Sequence, residues 1–193
     1  MENNRISRSQ ALDLLKKYNE SESHIKHALS VEAVMLHFAR ILNEPDVEKW
    51  GIIGLLHDID YERYPEEHCK KAPELLNGYI PEDWIRSIIS HGWGICSDVE
   101  PVEQMEKVLY TVDELTGLIT ACVLLRPSKS VLDLTVNSVK KKWKQKSFAA
   151  GVNREVIEKG AEMLNMELDF IIGETIKGMQ NVAEEIGLLG NIE

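Results

Sequence analysis

Histidine and aspartate residues recur along this chain at spacings that suit a metal site. The pair His57 and Asp58 ends the apolar run GIIGLLHDID and offers one imidazole nitrogen and one carboxylate oxygen from adjacent residues. Four more potential ligands are His27 (30 residues before His57), His68 (11 after it), His91 (23 further on) and Asp113 (22 further still). Five of the six lie in segments that the sequence predicts as helices or helix ends. A bundle of helices would be able to bring them together.

The position of His27 on its predicted helix indicates whether its side chain faces inward. At 100° per residue, it shares a helix face with apolar side chains, those of Val31, Val34, Phe38 and Ile41. An inward histidine needs a polar partner, and taken alone it is more often a hydrogen-bonded core residue than a ligand. The His57 and Asp58 pair favours the ligand role. His24 and His37 lie about 60° and 80° from the direction of His27 on the helix, and we interpret both as non-ligands.

Asp113 occupies the inward face of a second predicted helix. It shares that face with Leu109, Leu124 and the small residues Gly117 and Thr120, which leave room for a site. A carboxylate on such a face is costly unless it is paired, hydrogen-bonded or bound to metal. A structural pair with an arginine or with the backbone is the alternative to a metal-ligand role.

Composition limits the classes of protein. At 193 residues, with 44% hydrophobic and 28% charged residues, the chain is expected to form one domain, residues 1–193. The net charge of −10 argues against general nucleic-acid binding. No apolar run is long enough to span a bilayer, so we expect a cytoplasmic protein without membrane association. The three cysteines form no CxxC motif, which fits a reducing compartment and predicts incidental thiols.

One segment departs from the acidic balance. Residues 126–154 carry eight Lys or Arg and a single acid. Such a run is most simply a solvated helix face. The alternative is an attractor for a phosphorylated substrate, with Arg126, Lys140 and Lys144 as candidate substrate-binding residues.

Helix signals run along the whole chain, and no segment reads convincingly as a strand. We predict an all-α, single-domain bundle of about eight or nine helices. Their approximate ranges are Ser7 to Tyr18, Glu22 to Leu42, Val47 to His57, Pro73 to Asn77, Pro81 to Ser90, Pro101 to Leu125, a helix capped by Ser130 through the lysines, one capped by Asn153, and Glu167 to Leu188.

The ordered set of ligands resembles that of the HD superfamily of metal-dependent phosphohydrolases. The stretch HDIDYERYPEEH is similar to that of small bacterial stand-alone HD hydrolases. The resemblance implies an HD-type core over about residues 24–125, with C-terminal helices over about 130–188 packed on it. It also implies a first metal held by four ligands, His27, His57, Asp58 and Asp113. His68 and His91 match the positions that hold a second metal in some members, with Asp58 bridging.

The chain also departs from its relatives. Dinuclear members often have two adjacent histidines, whereas here Gly92 follows His91, so a second metal is one protein ligand short and water or substrate would fill the gap. The Gly-Tyr-Pro signature of cyclic-dinucleotide phosphodiesterases is missing. Of the acidic pair of alarmone hydrolases only Glu62 is present.

The resemblance implies a metal-dependent hydrolase of a small phosphorylated molecule or nucleotide, either a monoester or a diester. One or two divalent ions per chain (Mn, Fe, Mg, Zn, Ni or Co) would be the cofactor. Asp58 would serve the metal, and Glu62 or Asp60 would handle the proton. Two alternatives stay open at this point: a di-iron oxygenase on the same fold, and a non-catalytic, metal-stabilised binding or regulatory domain. The oligomeric state is not predicted.

Overall fold

A computed structural model describes residues 5–191, so the first four and last two residues of the predicted domain lie outside the described part. Within this range the chain folds into nine α-helices without a strand; one isolated bridge joins Trp93 and Ser97. The helices are α1 (Arg8–Tyr18), α2 (Glu22–Ile41), α3 (Val47–Leu56), α4 (Ala72–Leu76), α5 (Glu82–Ile89), α6 (Gln104–Leu124), α7 (Val136–Trp143), α8 (Arg154–Leu164) and α9 (Leu168–Gln180). The predicted all-α fold is confirmed.

Several predicted helix starts depend on side-chain caps that the structure contains. Ser7 and Gln10 form a reciprocal capping box at α1, and the Asn153 side chain accepts the first free backbone N–H groups of α8. The start predicted at Pro101 was three residues early, because α6 begins at Gln104 with Glu103 as its cap.

Two helix boundaries near the C-terminal end were wrong. Ser130 does not cap α7; its hydroxyl accepts the Leu132 N–H within a turn, and Thr135 caps the helix instead. The last helix ends at Gln180 rather than Leu188. The chain turns after Gln180, and the Leu188 carbonyl accepts the Val131 N–H at 2.9 Å, a contact that a continuing helix would not make.

Helix α2 lies at the centre of the bundle and packs against α3, α6 and α9. Its inward side chains include Val31, Val34 and Phe38, all fully buried, whereas Ile41, predicted on the same face, is 37% exposed at the helix end. Gly54 lets α3 approach closely, because a Cβ there would lie 2.9 Å from Met35 Cγ and 3.1 Å from the Val31 carbonyl oxygen.

The described residues contain no helix long and apolar enough to cross a membrane. The predicted ligands come from five parts of the bundle. His27 lies on α2 and Asp113 on α6, while His57 and Asp58 follow the last residue of α3. His68 and His91 belong to short irregular segments, one after the 3₁₀ turn Pro65–Glu67 and the other within the 3₁₀ turn Ser90–Gly92.

Candidate metal centre

The first set of potential ligands comes together between α2, α3 and α6. The donor atoms of His27, His57, Asp58 and Asp113 all lie within 4.8 Å of one another. His27 Nε2 is 2.9 Å from Asp113 Oδ1, and His57 Nε2 is 3.3 Å from the same oxygen. Asp58 Oδ2 completes the set at 3.4 Å from His57 Nε2 and 3.8 Å from His27 Nε2. Two imidazoles and two carboxylates therefore face one point.

Asp58 also faces a second set of ligands. Its other oxygen, Oδ1, lies 3.4 Å from both His68 Nε2 and His91 Nε2, which are 3.2 Å from each other. These three residues form a separate group of closely spaced donor atoms. The carboxylate of Asp58 therefore presents one oxygen to each of two donor sets.

Hydrogen bonds at Nδ1 orient three of the histidines. The Nδ1–H of His57 donates to the Gly54 carbonyl at 2.8 Å, and that of His91 donates to the Ile88 carbonyl at 2.6 Å. His68 Nδ1 donates to Asp60 Oδ1 at 2.8 Å. With Nδ1 protonated in this way, the Nε2 lone pair of each neutral ring is free to bind a metal.

His57 supplies the sharpest test of whether these residues fit a metal ion. Its side chain is fully buried, and Nε2 has no hydrogen-bond partner among residues 5–191. A buried, unpaired ring nitrogen is costly, and native structures rarely leave one without a reason. A divalent ion between the imidazoles and carboxylates would satisfy this nitrogen, so the donor set fits a metal.

The pKa values of the clustered side chains also indicate that these residues fit a metal ion. Burial by itself lowers the pKa of His57, but the carboxylates of Asp58 and Asp113 outweigh burial and raise it well above its ordinary value. Burial raises the pKa of both carboxyls, yet the neighbouring histidines hold both pKa values below the usual range. Burial by itself lowers the pKa of His68, but hydrogen bonds with Asp60 and Cys96 and the charge of Asp58 raise it to about 10. The cluster thus favours a positive charge at its centre.

A cavity of about 400 Å³ opens onto both donor sets. Ligands from each set line it, as do Tyr61, His24 and Glu114. The side chains of His27 and Asp58 are 27% and 21% exposed, so a small molecule can reach them. Within the described part of the chain, none of the lining residues is Lys or Arg.

Asp60 and Glu62, the predicted proton-handling residues, do not line this cavity. Asp60 is fully buried, and its oxygens accept from His68 Nδ1 and from the Ala72 backbone N–H. Glu62 accepts the backbone N–H groups of Glu20 and Ser21 before α2, and it also contacts His24. Asp60 thus orients the candidate ligand His68, Glu62 secures the start of α2, and neither of the two predicted proton-handling carboxylates faces the cavity.

The candidate substrate-binding residues Arg126, Lys140 and Lys144 do not line this cavity. The Arg126 guanidinium pairs with Asp133 at 2.7 Å. Lys140 Nζ lies 2.6 Å from Asp169 on α9, and Lys144 lines a different cavity, beside α8. The ion pair of Lys140 fits the solvated helix face. The cavity beside Lys144, by contrast, shares Gly151 and Val152 with the first cavity. A role for Lys144 in attracting a phosphorylated substrate therefore stays a prediction.

Glu114 lines the cavity as well, although its role was not expected from the sequence. It follows Asp113 directly and lines the cavity, and its Oε2 accepts the Asn153 N–H at 2.9 Å. Burial and the charges of Asp113 and Asp58 raise its pKa. Its adjacency to the predicted ligand Asp113 was the signal in the sequence, but the residue after an inward position is normally directed away from the core.

Comparison with known proteins places this site in a family. No curated protein and no solved structure is similar enough to the chain to count as a match. The family model described as HD domain matches residues 25–146, more than half of the chain, and this range contains every residue of both donor sets. The chain therefore belongs to the HD domain family.

Proposed function

We propose that the protein is a metal-dependent hydrolase of a small phosphorylated molecule. One observation carries this proposal: Asp58 presents its two oxygens to two adjacent donor sets that line the same open cavity. A shared carboxylate of this kind is the usual arrangement for a pair of divalent ions, about 3.5–4 Å apart, that bind a phosphoryl group together. Membership of the HD domain family supports the same chemistry.

The residues at the cavity would contribute to hydrolysis mainly by holding the metal. A divalent ion, when bound, lowers the pKa of its water and neutralises the phosphate oxygen that it contacts. His27, His57 and Asp113 would hold a first ion, and Asp58 would contribute one oxygen to each of the two donor sets. Because the described lining of this cavity contains no Lys or Arg, the charge of a phosphoryl group at the donor sets would have to be balanced mainly by the metal; Lys26 lines only a neighbouring cavity. Phosphate binding should therefore depend on the metal.

Glu114 is the carboxyl best placed to move a proton. It lines the cavity, and the Asn153 N–H fixes one of its oxygens. We propose that the Glu114 carboxyl donates a proton to the leaving oxygen, in place of Glu62 or Asp60. The test is Glu114→Gln, which should lower kcat by about 10²–10⁴-fold while metal content stays at the wild-type level.

The shape of the surroundings suggests where the rest of a substrate lies. A second cavity of about 460 Å³ shares His27 and Gly117 with the first, and its other lining residues include Thr120 and Leu124. A phosphoryl group at the donor sets would leave room for a small organic group there. We therefore propose a phosphorylated metabolite or mononucleotide as the substrate class.

A panel of phosphate esters and nucleotides tests the proposed activity. The protein loaded with Mn²⁺ should release phosphate or a monoester from at least one compound, and Asp58→Ala should release none. Oxygen uptake is measured in parallel on iron-loaded protein, because it separates hydrolysis from a di-iron oxygenase. Oxygen uptake without hydrolysis favours the oxygenase, and inactivity in both assays with metal bound favours the non-catalytic domain.

A further inference from the structure

Two cysteines lie beside the second donor set. Cys69 directly follows His68, and Cys96 lies in the turn after His91. The two Sγ atoms are 3.0 Å apart, and Cys69 Sγ is 4.0 Å from His91 Nε2. Together with His68, the two cysteines form a further group whose donor atoms all lie within 4.8 Å of one another. Sulfur and nitrogen donors therefore converge at one place.

The backbone around the sulfurs has unusual features that keep them there. Cys69 adopts φ +64°, a left-handed conformation that is uncommon for residues with a side chain. At Gly92, an added Cβ would lie 2.3 Å from Cys96 Sγ and 2.6 Å from Cys69 Sγ. No other residue fits at position 92 unless both sulfurs move. The absence of a side chain beside His91 therefore makes space for two thiols.

This arrangement revises the expectation that water or substrate fills the position left by Gly92. We propose that Cys69 and Cys96 bind the second metal through sulfur, alongside His68, His91 and the shared carboxylate of Asp58. The inference rests on the proposed metal centre. Thiolates favour ions such as Zn²⁺, Co²⁺ and Fe²⁺ over Mg²⁺ and Mn²⁺, so the two positions differ in the metals that they select.

The distances are compatible with this donor set. Two sulfurs bound to one zinc ion at about 2.3 Å, with a sulfur–zinc–sulfur angle near the tetrahedral value, would lie roughly 3.8 Å apart, so binding separates them by less than about 1 Å. A disulfide needs about 2.05 Å and a movement of similar size in the opposite direction. The imidazole of His91 beside Cys69 favours the metal, because it adds a nitrogen donor to the sulfur pair.

Cobalt titration tests the sulfur ligands without an activity assay. Metal-free protein, reduced with a phosphine and kept anaerobic, is titrated with Co²⁺ while the absorption spectrum is recorded. Wild type should develop the near-ultraviolet band of thiolate-to-cobalt charge transfer. The band should be lost in the double variant Cys69→Ser with Cys96→Ser. The control Cys122→Ala should keep it, because Cys122 belongs to none of the described donor groups.

X-ray absorption on zinc-loaded wild type gives a second measurement that needs no variant. We expect a sulfur shell near 2.3 Å beside the nitrogen and oxygen shell near 2.0–2.1 Å. Bound cobalt with visible bands but no charge-transfer band overturns the sulfur ligands and leaves the proposed function intact. Failure to bind cobalt at all overturns both. Loss of two titratable thiols in metal-free protein without reductant, together with the absence of a sulfur shell, identifies a disulfide instead.

Discussion

At the scale of single residues, Asp58 is the side chain that both candidate metal positions share. Its Oδ2 faces His57 and His27, and its Oδ1 faces His68 and His91. Removing this carboxylate leaves four imidazoles without their shared counter-charge. Removing a histidine of the second set affects one donor set only. The two kinds of variant should therefore differ in metal stoichiometry.

We predict that Asp58→Ala lowers the metal content of purified protein from about two ions per chain to nearly none, whereas His68→Ala lowers it to about one. Elemental analysis after dialysis measures both. His24→Ala is the matched control, because His24 lines the same cavity but contacts Glu62 rather than either donor set. Equal metal content in wild type and Asp58→Ala would rule out this role for Asp58.

The sequence could single out the candidate ligands that the structure brings together because each signal was local. The inward face of α2 contains His27, and the end of an apolar run contains His57 and Asp58. Arg126 and Lys140 show the limit of such reasoning. Arg126 pairs with Asp133 in the connection between α6 and α7, and the packing of α7 against α9 brings Asp169 to Lys140; a charge run reveals neither pairing.

At the scale of helices, the site depends on how closely α3 approaches α2. The carbonyl of Gly54 accepts the Nδ1–H of His57, so the same residue sets the helix distance and orients a ligand. The backbone of α2 around Val31 stands directly opposite Gly54. An added methyl group would push α3, and His57 with it, away from α2.

Gly54→Ala should therefore lower the free energy of unfolding by about 1–3 kcal/mol and weaken metal binding. Gly173→Ala is a suitable control, because its Cβ would meet only Val136 Cγ2 at an ordinary 3.5 Å. In the interior of α9 that change should be neutral or stabilising by up to about 1 kcal/mol. Urea denaturation of both variants checks this, and equal effects would contradict the proposed close approach.

Glu106 joins α5 to the start of α6. Its carboxylate is 2% exposed and accepts from Arg86, from the Ser87 hydroxyl and from the backbone N–H groups of Val102 and Glu103. Burial by itself raises the Glu106 pKa, but these donors, Arg86 foremost, outweigh it and lower the pKa below the ordinary value. The unfolded chain thus binds the proton more tightly than the folded chain.

It follows that the stabilisation from Glu106 is fully present above about pH 4.5 and is lost as pH falls through the lower folded-state pKa. Glu106→Gln should cost about 1.5–3 kcal/mol at neutral pH, and the gap from wild type should narrow in acid. Denaturation across a pH series measures the gap, with the exposed Glu66→Gln as control. A gap that widens in acid would refute this assignment.

Helix positions were predictable where the signal was a cap or an apolar period. The capping box at Ser7 and the Asn153 cap were both confirmed, because a cap is a contact within four residues. The end of α9 was not predictable. The chain leaves the helix after Gln180 so that the carbonyl of Leu188 can accept the N–H of Val131, a residue far earlier in the sequence.

At the scale of the whole molecule, an acidic chain surrounds a site proposed to take an anionic substrate. The net charge is −10, and within residues 5–191 the cavity lining lacks Lys and Arg. Long-range attraction of a phosphate would therefore be weak, and bound cations would have to supply it locally. The two donor sets around Asp58 are the place where that positive charge has to reside.

The most direct test is an anomalous-difference map from crystals grown with excess Mn²⁺ or Zn²⁺. We predict two peaks about 3.5–4 Å apart on opposite sides of Asp58. One should be bounded by His27, His57 and Asp113, and the other by His68 and His91. A single peak, or none, in both metals would contradict a dinuclear centre built on Asp58.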